Sequence, residues 1–296
     1  MLPLVNFNMP ELPEVETLRR ELEPALKNKI IEEIRVLQPG AVKPLSAKEF
    51  INRNRNRKIS ELRREGKILM IFFTDQDGLL IHLKMTGQII YRANNKEPVI
   101  GGHPQPGGAE DLPNSYTAIE WHFTDGSTLY FNDSRKFGWI YYSKQPEKEN
   151  VVQKLGVEPL DPDFTVEILL EFINKYPRRN IKQLIMDQEL IAGVGNIYAD
   201  EALFQAGIRP DKKVNEITES ETAKLHSALK KVLEHSVQKG GTSFRDYKRS
   251  NGEPGGFVPY LKVYGREGEP CSNCGRAVKK IRLNNRGTHY CIKCQK

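Results

Sequence analysis

The stretch MPELPEVET, residues 9–17, decides how the start of this 296-residue chain folds. Pro13 suits the first turn of a helix, where its missing N–H would have no partner. Glu14 and Glu16 suit the same turn, because the amino end of a helix dipole is positive. The apolar residues recur at helical spacing: Val15, Leu18 and Leu22. The pattern predicts an amphipathic helix that Pro24 ends or kinks.

The predicted helix gives no reason for the dipeptide Pro10-Glu11 directly after a methionine. If translation starts at Met9 and the methionine is removed, Pro10 carries a free secondary amine. An α-amino group has a pKa of about 8, so much of it is unprotonated near neutral pH. An amine that forms an iminium with a sugar carbon is a covalent catalyst. Glu11 beside it is placed to move protons.

The eight residues ahead of Met9, MLPLVNFN, bear on that chemistry. Inside a longer chain the Pro10 nitrogen is a tertiary amide, which has a delocalised lone pair and no proton. Residues 1–8 have neither a basic flank nor the length of a secretory signal. We expect the active form to begin at Pro10 and residues 1–8 to reflect a start codon placed too early.

Composition narrows the class of partner and the compartment. The formal net charge is +7, which suggests a polyanionic partner such as nucleic acid. No apolar run approaches the ~18 residues that a membrane-spanning helix needs. All four cysteines lie between Cys271 and Cys294. That clustering indicates a reducing, intracellular setting, and we expect a cytoplasmic protein.

The first half of the chain has strand patterns. Lys29–Leu37, Ile68–Phe73 and Leu79–Leu83 are rich in β-branched and apolar residues, and residues 117–131 alternate apolar with polar side chains. We infer an antiparallel sandwich or barrel behind the first helix. The Gly-, Pro- and Asn-rich stretch Ala93–Asn114 is predicted to be one long loop.

The second half has helical patterns and a metal motif. A polar linker is predicted at Gln145–Asn150. A capping box at Thr218–Glu221 opens a long helix that stops near Gly240. The spacing Cys-x2-Cys, sixteen residues, Cys-x2-Cys is that of a structural zinc ribbon with four thiolate ligands. The ligands are Cys271, Cys274, Cys291 and Cys294.

Three motifs together resemble the formamidopyrimidine-DNA glycosylase family. They are the segment from Met9, the glycine-containing segment IAGVGNIYADE at residues 191–201, and the cysteine ribbon. The resemblance covers Met9–Lys296 and implies an α+β multidomain protein. The expected parts are an extension at residues 1–8, a catalytic β-rich domain at 9–144, the linker at 145–150, a helix-two-turn-helix domain at 151–251, and a loop with a zinc finger at 252–296.

The resemblance also implies roles for individual residues. Pro10, Glu11 and Lys67 belong to the catalytic site, with Glu14 supporting the N-terminal turn. Met85, Arg135 and Phe137 are expected to enter the duplex where a damaged nucleotide has left. Lys182, Asn196 and the finger residue Arg286 are expected on the DNA backbone, and the loop Gly252–Phe257 is expected to close over the base. For Asn196, a simple helix cap is the alternative reading.

The function so implied is excision of oxidised purines, 8-oxoguanine and formamidopyrimidines, from duplex DNA. Strand cleavage at the abasic site by β,δ-elimination follows, and the protein is expected to be a monomer. Two alternatives stay open. One is an endonuclease VIII-like glycosylase for oxidised pyrimidines, which Leu12 disfavours because that branch usually has glycine there. The other is a DNA-binding protein without catalysis, which would apply if Pro10 is not N-terminal.

Overall fold

The computed structural model describes residues 9–94, 96–105, 108, 111–242 and 256–296. The chain divides into two compact units. One ends at Gln153 and also takes in Gly240–Gly256; the other comprises Lys154–Lys239 and Phe257–Lys296. Residues 1–8 and most of the predicted loop at Gly252–Phe257 lie outside the described residues.

The predicted first helix is present as α1, Leu12–Leu26. It begins with a capping box between Glu11 and Glu14, and Pro13 lies in its first turn. A capping box satisfies backbone donors that the first turn leaves without helical partners. Pro13 and Glu14 therefore lie in the first turn as their residue types indicate, whereas the N-cap position of Glu11 was not predicted.

Pro24 does not end this helix near Glu23, since α1 continues to Leu26 with Pro24 inside it. A proline inside a helix removes one backbone hydrogen bond. Leu22 and Leu26, on either side of Pro24, are fully buried. Their packing extends the helix through the proline, and the local rule gives way to the tertiary contacts.

Two five-stranded sheets complete the first unit. One has the strand order β1-β8-β9-β6-β7 and the other β2-β10-β5-β4-β3. The neighbouring strands are antiparallel except for β2 and β10, which are parallel. The bounds are β1 Ile31–Val36, β2 Val42–Lys43, β3 Ile59–Glu65, β4 Ile68–Phe73, β5 Gly78–His82, β6 Gly87–Arg92, β7 Val99–Gly102, β8 Thr117–Phe123, β9 Thr128–Asp133 and β10 Trp139–Ser143.

One core joins the two sheets, so the predicted sandwich is confirmed. Its large aromatic members include Phe50, Trp121 and Phe131, all at most 2% exposed. Phe50 comes from α2, Ala47–Asn54, and its ring meets that of Trp121 edge-on at 6.4 Å. Burial of such side chains is the main favourable contribution to folding.

The prediction of one long loop over Ala93–Asn114 is wrong at β7, which pairs antiparallel with β6. A Cβ atom on Gly101 would lie 2.3 Å from a methyl carbon of Leu18. Helix α1 therefore packs so closely on β7 that only glycine fits. The glycine that indicated a loop marks a close approach of helix and strand instead.

The second unit is helical and ends in a two-stranded hairpin. A short helix at the end of the first unit, α3, precedes it. The bounds are α3 Asn150–Gln153, α4 Val166–Lys175, α5 Ile181–Ile185, α6 Asn196–Ala206, α7 Glu219–Gln238, β11 Lys279–Leu283 and β12 Arg286–Tyr290. The predicted capping box of Thr218 and Glu221 is confirmed at the start of α7. Helix α6 packs against both α7 and β12. In the described part of the chain, no helix combines the length and apolarity needed to cross a bilayer.

Candidate functional site

The turn that opens α1 is buried together with its charged residues. Pro10 is buried, and Glu11 and Glu14 are 3% and 8% exposed. The Glu11 backbone N–H donates to Glu14 Oε2 at 3.0 Å. Two carboxylates kept from water beside one proline suit proton transfer next to a reacting group.

Glu16, the third carboxylate of this segment, has a different environment. Burial by itself would raise the pKa of Glu16, but hydrogen bonds from Arg19 and Arg20 and the charge of Arg64 outweigh it and lower the pKa to about 2. Arg64 Nε lies 3.2 Å from Glu16 Oε2. Glu16 therefore stays ionised and ties α1 to β3, which makes it unsuitable as a proton donor.

Two residues of the first unit with basic side chains, Lys67 and His82, have restricted exposure to solvent. Lys67 lies between β3 and β4 and is only 6% exposed. Burial lowers the pKa of His82 to about 3, and the charges of Lys84 and Lys67 act in the same direction. His82 Nδ1 accepts the Lys84 backbone N–H at 3.0 Å. His82 is therefore a neutral hydrogen-bonding group. Sequence reasoning did not select it, although it begins the segment that leads to Met85.

Met85, Arg135 and Phe137, chosen from separate segments, lie together. The Arg135 guanidinium lies over the Phe137 ring at 4.7 Å, and its Nη1 is 3.7 Å from Met85 Sδ. Phe137 is 53% exposed and Met85 is half-buried. Phe137 is therefore not a core residue. The three side chains form an exposed group of apolar and planar surfaces.

Asp133 holds the loop that presents this group, a role that sequence reasoning missed. It is 2% exposed at the end of β9. Its Oδ2 accepts the Gly138 N–H at 2.6 Å, and its Oδ1 accepts the Arg135 N–H at 3.2 Å. Thr86 Oγ1 also donates to Oδ1. A charge-assisted network of this kind fixes a loop more firmly than neutral hydrogen bonds do.

Lys182 lies inside the second unit. It is 2% exposed, and its Nζ lies 2.6 Å from Asp200 Oδ1 and donates to Thr288 Oγ1 at 2.8 Å. Asp200 Oδ2 accepts the His289 backbone N–H at 2.7 Å. Lys182 and Asp200 therefore join α5 and α6 to β12, and the ammonium is engaged within the unit rather than extended into solvent.

Glu201, the next residue of α6, is a second buried carboxylate with a positioning role. It accepts the backbone N–H groups of Lys262, Val263 and Tyr264 at 2.8–2.9 Å. Burial raises the pKa of Glu201, although these three hydrogen bonds oppose the rise. The acidic pair Asp200-Glu201 thus anchors the segment before the hairpin and the hairpin itself.

Asn196 is the first residue of α6, and Gly195 occupies the N-cap position. The reading of Asn196 as a helix cap is therefore wrong. Its Nδ2 donates to the Gly287 carbonyl at 3.0 Å and lies 3.4 Å from the Tyr264 hydroxyl. Its Oδ1 is buried and has no hydrogen-bond partner among the described residues. The amide joins the start of α6 to the hairpin.

Arg286 follows the two-residue turn Asn284-Asn285, in which both residues have positive φ. It begins β12 opposite Leu283 and its side chain is exposed. With Arg179 and Lys182 it lines a cavity of about 230 Å³ between α5 and the hairpin. The second unit therefore brings Arg286, Asn196 and Lys182 to one region.

The four cysteines form one cluster, with all sulfur atoms within 4.8 Å of one another. Cys271 and Cys294 Sγ are 3.9 Å apart, and Cys274 and Cys291 Sγ are 3.5 Å apart. Tetrahedral Zn–S bonds of about 2.3 Å place sulfurs about 3.8 Å apart, whereas a disulfide needs about 2.05 Å. The cluster fits one structural zinc ion, and four thiolates leave no open coordination position.

Models of known protein families match this chain along most of its length. Residues 9–140 match the formamidopyrimidine-DNA glycosylase N-terminal domain, residues 155–248 its H2TH domain, and residues 268–296 a zinc finger found in FPG and IleRS. A formamidopyrimidine-DNA glycosylase of Desulfitobacterium hafniense (strain DSM 10664 / DCB-2) is 40% identical over 290 residues, covering 97% of this chain and 100% of the relative.

Solved structures agree with the sequence matches. The MutM (Fpg) protein from Thermus thermophilus superposes with a TM-score of 0.81 at 36% identity, covering 97% of this chain and 98% of that one. A mutant of the Lactococcus lactis Fpg, in complex with a Fapy-dG containing DNA, gives a TM-score of 0.85 at 32% identity over 97% and 100% of the two chains.

Proposed function

This chain belongs to the formamidopyrimidine-DNA glycosylase family, and from that membership we propose that Pro10 and Glu11 carry out its chemistry. The protein is a DNA glycosylase and abasic-site lyase that removes oxidised purines from duplex DNA. The observation that carries this function is the match of the N-terminal domain model, which begins at residue 9, directly before Pro10-Glu11.

The first step proposed is displacement of the damaged base. The free amine of Pro10 attacks C1′ of the flipped nucleoside, a C–N bond forms, and the glycosidic bond breaks. The departing base takes the bonding electron pair and a proton, which Glu11 helps to deliver. The amine then loses its proton, its lone pair breaks the C1′–O4′ bond, and O4′ takes up a proton, which opens the sugar and gives an iminium at C1′. Glu11 suits the proton transfers because it is buried beside Pro10.

Strand cleavage follows from the same iminium. The positive nitrogen acidifies the C2′ hydrogens, so a base removes a C2′ proton and the 3′ phosphate leaves. A second elimination expels the 5′ phosphate, and hydrolysis of the iminium releases Pro10. Phosphate departure needs cationic or hydrogen-bonding groups. We assign the cationic role to Lys67 in the first unit. The neutral His82 is assigned a hydrogen bond to the same phosphate.

Binding of the distorted duplex is assigned to residues of both units. Met85, Arg135 and Phe137 are proposed to fill the space left by the flipped nucleotide, because their surfaces are apolar or planar and partly exposed. Asn196 and Arg286 are proposed to bind phosphates. Lys182 is proposed to support Arg286 through β12, since its ammonium is paired with Asp200.

We propose that the protein works in the cytoplasm on chromosomal DNA. Thiolate zinc ligands and the absence of cysteines elsewhere in the sequence suit a reducing compartment. The net charge of +7 favours association with a polyanion. The close relatives are bacterial proteins of the same family.

The preferred lesion class is tested with protein that begins at Pro10, by comparing its nicking rates on two duplexes. We expect nicking at 8-oxoguanine opposite cytosine to be at least about tenfold faster than nicking at thymine glycol, a barrier difference of about 1.4 kcal/mol. Single-turnover gel assays measure both rates. Faster cleavage at thymine glycol would instead support the endonuclease VIII-like alternative.

Replacing Phe137 with alanine separates the void-filling role from a structural one. The side chain is 53% exposed, so its removal should leave the fold intact. Flipping an intact base costs a few kcal/mol, and an abasic site avoids much of that cost. We expect excision of 8-oxoguanine to slow about tenfold or more, with a smaller loss in abasic-site binding. Leu37→Ala, at 49% exposure, is the matched control. Equal losses on both substrates would contradict the assignment.

Arg286→Ala tests the phosphate contact of the finger. Each phosphate contact contributes about one unit to the slope of log K against log salt, so we expect that slope to flatten by about one unit. Arg276→Ala removes an exposed arginine from the same finger and serves as the control. Affinity should be measured on one lesion duplex at several salt concentrations. A slope unchanged from the parent's would show that Arg286 is a solvated surface charge.

A further inference from the structure

The Glu14 carboxylate is held at both oxygens by residues far apart in the sequence. Its Oε2 accepts the Glu11 backbone N–H at 3.0 Å. Its Oε1 accepts the Thr242 backbone N–H at 2.7 Å and the Thr242 hydroxyl at 2.9 Å. Thr242 lies 228 residues further along the chain, yet both side chains belong to the first unit. We call this arrangement the Glu14–Thr242 clasp.

Gly241 gives the clasp its close approach. Its φ is +82°, and a Cβ atom there would lie 2.8 Å from Glu14 Oε1 and 3.2 Å from Glu14 Cγ. Both the positive φ and the lack of space require glycine. The chain is therefore shaped at Gly241 so that Thr242 brings two donors to one carboxylate oxygen.

The burial of this group decides how firmly it is held. Glu14 is 8% exposed and Thr242 is 7% exposed. A buried carboxylate without partners is costly, and charge-assisted hydrogen bonds are about twice as strong as neutral ones. Donors on both oxygens fix the plane of the carboxylate. A carboxylate that loses one of the two donors on Oε1 is held less firmly in its plane, and the Glu11 N–H bonded to Oε2 is then held less firmly as well.

We propose that Thr242 is a positioning residue for the reaction, acting through Glu14 on the turn that carries Pro10 and Glu11. This inference rests on the function proposed above. The Glu11 nitrogen is bonded to the carbonyl carbon of Pro10, so the direction of that peptide, together with the Pro10 ψ angle, sets where the Pro10 amine points. The amine must come within about 3–3.5 Å of C1′ to react, and a misplacement of about 1 Å costs about 10²-fold in rate.

The test uses protein that begins at Pro10 and compares Thr242→Val with Thr242→Ser. Valine removes the hydroxyl donor and keeps both the shape and the backbone N–H, whereas serine keeps the hydroxyl. We expect Thr242→Val to lower kcat for 8-oxoguanine excision about tenfold and to leave KM within about twofold, because a misdirected amine affects the chemical step. Thr242→Ser should retain a kcat within about twofold of the parent's.

A second pair of variants separates the clasp from backbone strain. Gly241→Ala places a methyl group against Glu14, whereas Gly126→Ala, at a φ of +80°, has its nearest neighbouring atom 3.9 Å away. Both substitutions strain the backbone to a similar degree. When both variants are assayed below their melting temperatures, we expect the kcat of Gly241→Ala to be at least about tenfold lower than that of Gly126→Ala.

The outcomes distinguish the clasp from the function itself. If the parent protein fails to excise 8-oxoguanine, the proposed function is overturned. If the parent is active but Thr242→Val matches it in kcat, the positioning role of Thr242 is overturned and the proposed function stands. A raised KM with unchanged kcat, or a serine variant as defective as the valine variant, also overturns the positioning role.

Discussion

A protein whose first residue is Pro10 is expected to form a borohydride-trapped adduct with abasic DNA, and a form that carries any residue ahead of Pro10 is expected to form none. The nitrogen of an internal proline belongs to a tertiary amide and has no available lone pair. A terminal Pro10 is instead a secondary amine with a pKa of about 8. Only the terminal form is able to become the iminium that borohydride reduces.

The measurement compares adduct yield for forms that start at Met1 and at Pro10, with the intact mass of each recorded beforehand. Lys67→Ala in the form that starts at Pro10 is the control for a lysine nucleophile. It should weaken binding but still give adduct at saturating DNA, since Lys67 is assigned to phosphate. Normal trapping by protein whose mass retains Met1 would move the nucleophile to a lysine such as Lys67 and contradict the role of Pro10.

Features that depend on local chemistry were predictable from the sequence. The start of α1 and the capping box of α7 each follow from residue types a few positions apart. The zinc cluster likewise follows from two short Cys-x2-Cys spacings. The local rules failed at Pro24 and at Gly101, where helix packing determines the backbone conformation.

The partners of the supporting residues were not predictable, because they are distant in sequence. Asp200 reaches His289 across 89 residues, and Glu14 reaches Thr242 across 228. A buried carboxylate looks the same in sequence as a solvated one. The resemblance selected Lys182 for a contact with the DNA backbone, and nothing in the sequence indicated its buried ion pair with Asp200. Family motifs identify side chains that touch substrate more readily than those that hold them in place.

The finger is where metal loss should have its largest effect. The small apolar core around the cysteines consists of Phe204, Val263, Cys271, Val278 and Cys291, so two of the zinc ligands are themselves core residues. A core this small depends on the metal for its stability. We expect Cys274→Ser to weaken binding of a lesion duplex at least about 100-fold, because Arg286 loses the hairpin that presents it.

The same variant should leave the β-rich unit folded, and the chain provides a direct way to see this. Both tryptophans, Trp121 and Trp139, lie in the first unit, and Trp121 is 2% exposed. Tryptophan emission therefore reports on the sandwich and should match the parent's, while zinc content falls. Ser272→Ala, an exposed neighbour in the finger, is the control. If zinc-free Cys274→Ser protein bound the lesion duplex with the parent's affinity, the finger would not be part of the binding site. A red-shifted tryptophan emission would show that the first unit also depends on the metal.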